Sequence, residues 1–139
     1  MRIVVDTNIL VSAGLVPASP SAQILTLWRS RKIVVFTTGQ QFEEIARVTR
    51  YPRIRARLPP ALAGRLVNRL RDVAVIVDKL PALDIAPDPD DNYLIALAEA
   101  SQADFLVTGD KGLLSLKRHK STRIITPVAL IALLKRQGG

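Results

Sequence analysis

Two short hydrophobic runs in this chain end in aspartate, and they constrain its fold more than any other feature. The first is the opening Arg2-Ile3-Val4-Val5-Asp6-Thr7-Asn8. The second, Phe105-Leu106-Val107, runs into Thr108-Gly109-Asp110. Short, continuous β-branched or aromatic runs are the pattern of strands buried on both faces, as in a parallel sheet. Parallel strands emerge at a common edge, so acids placed just after them can meet there. Carboxylates that meet repel one another, which implies a positive partner, most simply a divalent metal ion.

The rest of the chain alternates in the same way. Residues 2–6, 33–36, 73–77, 105–108 and 123–126 read as five strands. Between them, helices are expected after Ser21 as a cap, over 40–49 with Thr38 as a cap, from Pro59-Pro60 through Leu62, Leu66, Leu70 and Val73, over 90–101, over 111–116 and over 127–134. Segments 17–20 and 81–89 read as loops. Strands alternating with helices give an α/β fold with a mostly parallel five-stranded sheet. With no linker, repeat or low-complexity stretch, residues 1–139 read as a single domain, long enough for a substantial core.

Charge narrows the function classes. Twenty Lys and Arg against twelve Asp and Glu give a net charge of +8, and fourteen of the bases are Arg, the side chain best shaped for phosphate. The signs are segregated. Between Ile45 and Arg71 there are eight Arg and no acid; between Pro81 and Asp110 there are seven acids and no base. A basic stretch beside an acidic patch suits a polyanion held near a metal. There are no cysteines, so disulfides and thiolate zinc sites are excluded and a reducing, cytoplasmic setting is expected. Asp6 and Asn8 interrupt the opening apolar stretch too early for a signal peptide, and no apolar run approaches the roughly 18 residues of a membrane span.

Each acid has a structural alternative. Asp6 could cap a helix or make an Asx-turn. Asp88-Pro89-Asp90-Asp91-Asn92 precedes a strongly apolar helix, and acids favour helix starts, but three in four residues exceed what capping needs. Asp91, just inside the helix, is the best ligand candidate there. Asp110 could cap the short helix after it, with Gly109 permitting a sharp turn. Glu43 and Glu44 flank the apolar face of their helix almost equally, and periodicity does not choose between them. His119, among Lys117, Arg118 and Lys120, reads as an exposed residue rather than a catalytic base.

Taken together, Asp6-Thr7-Asn8 with Ser12, Glu44 with Arg47-Val48 and Pro52, Asp88-Pro89-Asp90-Asp91-Asn92 before Leu94-Ile95-Ala96-Leu97-Ala98, Ala103 to Asp110, and Ile125-Thr126-Pro127 resemble a PIN-domain ribonuclease of the VapC type, the toxin component of bacterial toxin–antitoxin pairs. The resemblance covers nearly the whole chain; residues 53–79 match only as a helix followed by a strand. It implies a three-layer α/β/α sandwich with strand order 3-2-1-4-5 and metal-dependent endoribonuclease activity. Asp6, Glu44, Asp91 and Asp110 would be the catalytic metal ligands and Asn8 and Thr108 polar supports. Glu44 is preferred to Glu43 for its distance to Arg47, Val48 and Pro52. Oxygen ligands without Cys or clustered His select Mg²⁺ or Mn²⁺, as one or two ions. Arg47, Arg50, Arg53, Arg55 and Arg57 would hold RNA phosphates. The implied partners are RNA, a cognate antitoxin protein and a second copy in a homodimer, with no membrane. The competing readings are a non-catalytic RNA- or protein-binding module on the same fold, and a phosphatase-like hydrolase with Asp6 as nucleophile. The second needs another Asp two residues on, where Asn8 stands.

Overall fold

Ile3, Val4 and Val5 have almost no exposed surface, and their side chains alternate between two separate apolar clusters. A strand buried on both faces must lie inside a sheet covered by helices on either side. The computed structural model describes residues 1–137. In it, β1 (Arg2–Val5) is the centre of such a sheet, flanked by β2 (Val34–Thr37) and β4 (Phe105–Val107), both parallel to it. The sheet runs β3-β2-β1-β4-β6-β5, with β3 (Val75–Ile76), β5 (Arg118–His119) and β6 (Thr122–Ile125) completing it. The expected order 3-2-1-4-5 is present, β6 being the fifth expected strand. The sixth, β5, is a two-residue antiparallel addition at the edge.

One face of the sheet packs against α1 (Thr7–Leu15), α2 (Pro20–Arg29), α3 (Gly39–Val48), α5 (Pro60–Val73) and α8 (Pro127–Gln137). Trp28, Ile45, Leu70 and Leu130 join Ile3, Val5 and Val107 in that cluster. The other face packs against α6 (Asn92–Ser101) and α7 (Lys111–Leu116), with Leu94, Leu97 and Leu113 meeting Val4 and Leu106. The short α4 (Pro52–Arg55) follows α3. Three layers result, as the resemblance implies.

Several boundaries differ from the sequence reading, for local reasons. Helix α1 has no clear amphipathic stripe, because Ile9, Leu10, Val11 and Ala13 are buried around it, so it escapes a search for periodicity. Ser19, not Ser21, caps α2, which lets Pro20 take the first helical position where its missing N–H is harmless. Thr38 stands at the start of α3, but its hydroxyl donates to Val77 O at 2.7 Å instead of capping the helix. The third strand shrinks to Val75–Ile76 because α5 continues through Val73. A 3₁₀ turn, Pro89–Asp91, precedes α6. Along α5, Leu70 is in the core whereas Leu62 is exposed. His119 is not simply exposed: its Nε2 lies 2.9 Å from Glu99 Oε1, which Lys120 also reaches at 2.8 Å, and those two partners hold the Glu99 carboxyl below its usual range. Among the described residues no single helix is long and apolar enough to cross a membrane.

Candidate active site

The carboxyl ends of β1, β2 and β4 open onto one edge of the sheet, and acids reach it from four segments. Asp6 leaves β1 directly and is pinned by its backbone N–H donating to Val107 O at 2.9 Å. Its side chain also caps α1, Oδ1 accepting from the Asn8 N–H at 3.3 Å. Thr108, wholly buried after β4, donates its hydroxyl to Asp6 Oδ2 at 2.7 Å and accepts from the Asp110 N–H at 3.0 Å. One threonine therefore ties both strand-end aspartates together. Asp110 in turn caps α7, Oδ2 accepting from the Leu113 N–H at 2.9 Å. The structural and functional alternatives for Asp6 and Asp110 are thus compatible, since a carboxylate that accepts one backbone N–H retains lone pairs for another partner.

The Pro89–Asp91 turn delivers the next acid. Asp88 caps it by accepting from the Asp90 N–H at 3.0 Å, and Asn92 Oδ1 accepts from the N–H groups of Ile85 and Ala86, both at 2.8 Å. These bonds fix the loop and leave the half-buried Asp91 carboxylate free of hydrogen bonds among the described residues. On α3 the choice between the two glutamates is geometric. Glu43 points to solvent, while Glu44 turns inward and accepts from the Tyr93 hydroxyl at 2.7 Å. Its other oxygen lies 3.8 Å from the Arg47 guanidinium.

The electrostatics of the four acids are interlocked. Burial raises the Asp6 pKa, against the lowering hydrogen bonds from Thr108 and Asn8, and the charges of Glu44 and Asp110 raise it further. Asp91 is pushed up to about 7 by burial and then by the charges of Asp6, Asp110, Asp88 and Glu44. Tyr93 is held above its usual range, chiefly by burial. Among the described residues, no three Asp, Glu or His side chains stand close enough to form a closed ligand cage. A hard ion such as Mg²⁺ keeps several waters and binds through one or two carboxylates plus phosphate, so its site is an open acidic pocket of all-oxygen donors. Asp6, Glu44, Asp91 and Asp110 offer oxygen donors only, the donor type such an ion takes.

The remaining candidates divide. Asn8 supports Asp6 through its backbone N–H, its side chain being exposed. Arg47, Arg50, Arg53, Arg55 and Arg57 are all exposed along the end of α3 and through α4. Gly109 needs no special conformation, since a Cβ there would meet only ordinary contact with Ile9 at 3.8 Å. The tight glycine is Gly112, where a Cβ would lie 3.0 Å from Asp110 Oδ2 and 3.4 Å from Pro87. Sequence reasoning missed Thr7, Thr37, Gln41 and Tyr93, which form a buried polar chain beneath the acids. Gln41 is fully buried on an amphipathic helix, a placement set by tertiary packing that the sequence does not mark.

Comparison with known proteins bears out the resemblance at the level of family. The PIN domain model matches residues 2–112. The uncharacterized protein MJ1680 of Methanocaldococcus jannaschii is 31% identical over 118 residues, covering 84% of this chain and 76% of its own length. A chain from the crystal structure of VapBC2 from Rickettsia felis, bound to a DNA fragment from their promoter, shares the fold with a TM-score of 0.60 at 17% identity, over 91% of this chain and 98% of that one. The chain belongs to the PIN-domain family.

Proposed function

We propose that residues 1–139 act as one domain, a metal-dependent endoribonuclease that hydrolyses RNA phosphodiester bonds as the toxin of a toxin–antitoxin pair. The observation that carries the reading is that the carboxyl edge of a parallel sheet in a PIN domain gathers Asp6 and Asp110, tied together by Thr108, and Glu44, held by the Tyr93 that follows Asp91 by two residues. Mg²⁺ or Mn²⁺, as one or two ions, would supply an acidified water and neutralise the scissile phosphate. Asp6, Glu44, Asp91 and Asp110 would hold it, and Thr108 would keep Asp6 and Asp110 in register. The exposed arginines from Arg47 to Arg57 would grip flanking phosphates, and Arg47, 3.8 Å from Glu44, stands at the junction of the basic and acidic surfaces. The fold shared with a chain of the VapBC2 complex supports a cognate antitoxin as protein partner. A homodimer belongs to the same reading.

The test is RNA cleavage in Mg²⁺ by the purified chain and by Asp6→Asn and Asp110→Asn. Both variants should fold, as seen by circular dichroism, and cleave nothing; cleavage retained by both would refute the assignment. The open spacing of the acids favours one second reading, a binding module on the same fold without turnover. That reading requires salt-dependent RNA binding that EDTA leaves unchanged, with no cleavage.

A further inference from the structure

We propose that Tyr93 is a positioning residue for Glu44, the end of a one-way hydrogen-bond chain that aims this carboxylate into the acid pocket; the inference rests on the metal-nuclease reading above. The direction of the chain follows from counting hydrogens. Tyr93 has one hydroxyl hydrogen, and it goes to Glu44 Oε1 at 2.7 Å. In the 3.2 Å contact between Thr7 Oγ1 and Tyr93 Oη, Thr7 must therefore be the donor. Having spent its own hydrogen, Thr7 can only accept from Gln41 Nε2, which lies 3.4 Å away. The other hydrogen on Gln41 Nε2 goes to Val5 O at 2.6 Å, and Gln41 Oε1 accepts from the Thr37 hydroxyl at 2.6 Å. Apart from the Gln41 hydrogen given to Val5 O, the hydrogens from Thr37 through Gln41, Thr7 and Tyr93 run toward Glu44, an arrangement in which each bond polarises the next.

The chain also joins the segments that carry the acids. Thr7 follows Asp6; Gln41 sits one helical turn before Glu44; Tyr93 comes two residues after Asp91. Thr7, Thr37 and Gln41 are almost wholly buried and Tyr93 nearly so, so water cannot replace a lost member. Glu44 is the only one of the four acids in the middle of a helix rather than at a strand end or turn, and its longer side chain has more freedom to lose. With Oε1 held by Tyr93, Oε2 is left for a cation, with Arg47 as its present neighbour at 3.8 Å.

The experiment measures Mn²⁺ binding by electron paramagnetic resonance, with Mg²⁺-dependent RNA cleavage in parallel, on the wild-type chain, Tyr93→Phe, Thr7→Val and Thr7→Ser. Ser101→Ala, a buried hydroxyl deletion on the same helix remote from the acids, controls for stability. Tyr93→Phe and Thr7→Val should each weaken Mn²⁺ binding by about tenfold, the lower range for loss of a group that orients a metal ligand, and raise the Mg²⁺ needed for half-maximal cleavage. Thr7→Ser should restore both, and Ser101→Ala should change neither. Unchanged Mn²⁺ affinity in folded Tyr93→Phe, or an equal loss in Ser101→Ala, overturns the positioning role alone. If Tyr93→Phe does not fold, Thr7→Val decides by the same criterion. No Mn²⁺ binding by the wild-type chain overturns the metal-site reading and this inference with it.

Discussion

Asp91→Asn should stabilise the metal-free protein by an amount that grows as pH rises from about 4 to about 7 and then levels off. The Asp91 carboxyl is pushed from 3.8 to about 7 by burial and by four neighbouring acids. A carboxyl whose pKa is raised in the fold holds a proton that the unfolded chain has released, so stability falls as pH climbs from about 4 to about 7 and stays low above that. Three units at about 1.4 kcal/mol each set a ceiling of about 4 kcal/mol. The side chain is half-exposed, and solvent screening brings this to about 2 kcal/mol. Loss of a negative charge at the start of α6 gives back about 0.3–1 kcal/mol, and no side-chain capping bond is lost, so the net gain is about 1 kcal/mol. For a chain of this length, at about 2.1 cal/mol/K of unfolding entropy per residue, that raises Tm by about 3 °C. The assay is thermal unfolding in EDTA at pH 8 and at pH 4.5. The gain should appear at pH 8 and vanish at pH 4.5. Millimolar Mg²⁺ should then raise the wild-type Tm at pH 8 more than that of the variant, because the ion neutralises the same repulsion. A variant no more stable than wild type at pH 8 in EDTA would refute the view that Asp91 sits in a repulsive acidic pocket.

Other consequences rest on particular side chains. Thr108→Val removes the 2.7 Å bond to Asp6 and the acceptor for the Asp110 N–H, so it should lower stability by about 1–3 kcal/mol in denaturant titration, with Thr108→Ser close to wild type. Gly112→Ala places a methyl 3.0 Å from Asp110 Oδ2 and should slow RNA cleavage, whereas Gly64→Ala, with open space around it, should not. Replacing Arg53, Arg55 and Arg57 together by Ala should leave Tm unchanged and make RNA affinity less steeply dependent on salt, the slope falling by about 0.7 for each single-strand phosphate that the variant no longer neutralises.

The sheet was legible because its central strands are buried on both faces, which leaves a run of β-branched residues that no other environment demands. Its edge was less so. Val75 and Ile76 are exposed, and α5 runs through Val73 with no glycine or proline to mark its end. Helix α1 was invisible to periodicity for the opposite reason, being apolar on nearly all sides. At the acids, residue type and spacing bring forward Asp6, Asp91 and Asp110; periodicity leaves Glu43 and Glu44 open, the resemblance prefers Glu44 by its distance to Arg47, Val48 and Pro52, and in the fold it is Glu44 that meets a tyrosine on another helix.

The same geometry explains why cap and ligand readings of these aspartates compete on paper and coexist in the fold. A helix beginning at the carboxyl end of a parallel strand presents free N–H groups to the sheet edge, and an aspartate there satisfies one of them. Asp6 does so for α1 and Asp110 for α7, each at the point where its strand ends. The bond locks the carboxylate's rotamer, and the partial positive charge of the helix start offsets some of the repulsion between acids. Asp91 has no such bond, and burial, followed by the charges of Asp6, Asp110, Asp88 and Glu44, pushes its pKa to about 7. Capping therefore fixes Asp6 and Asp110 at one sheet edge, and the uncapped Asp91 is where the sensitivity to metal should concentrate.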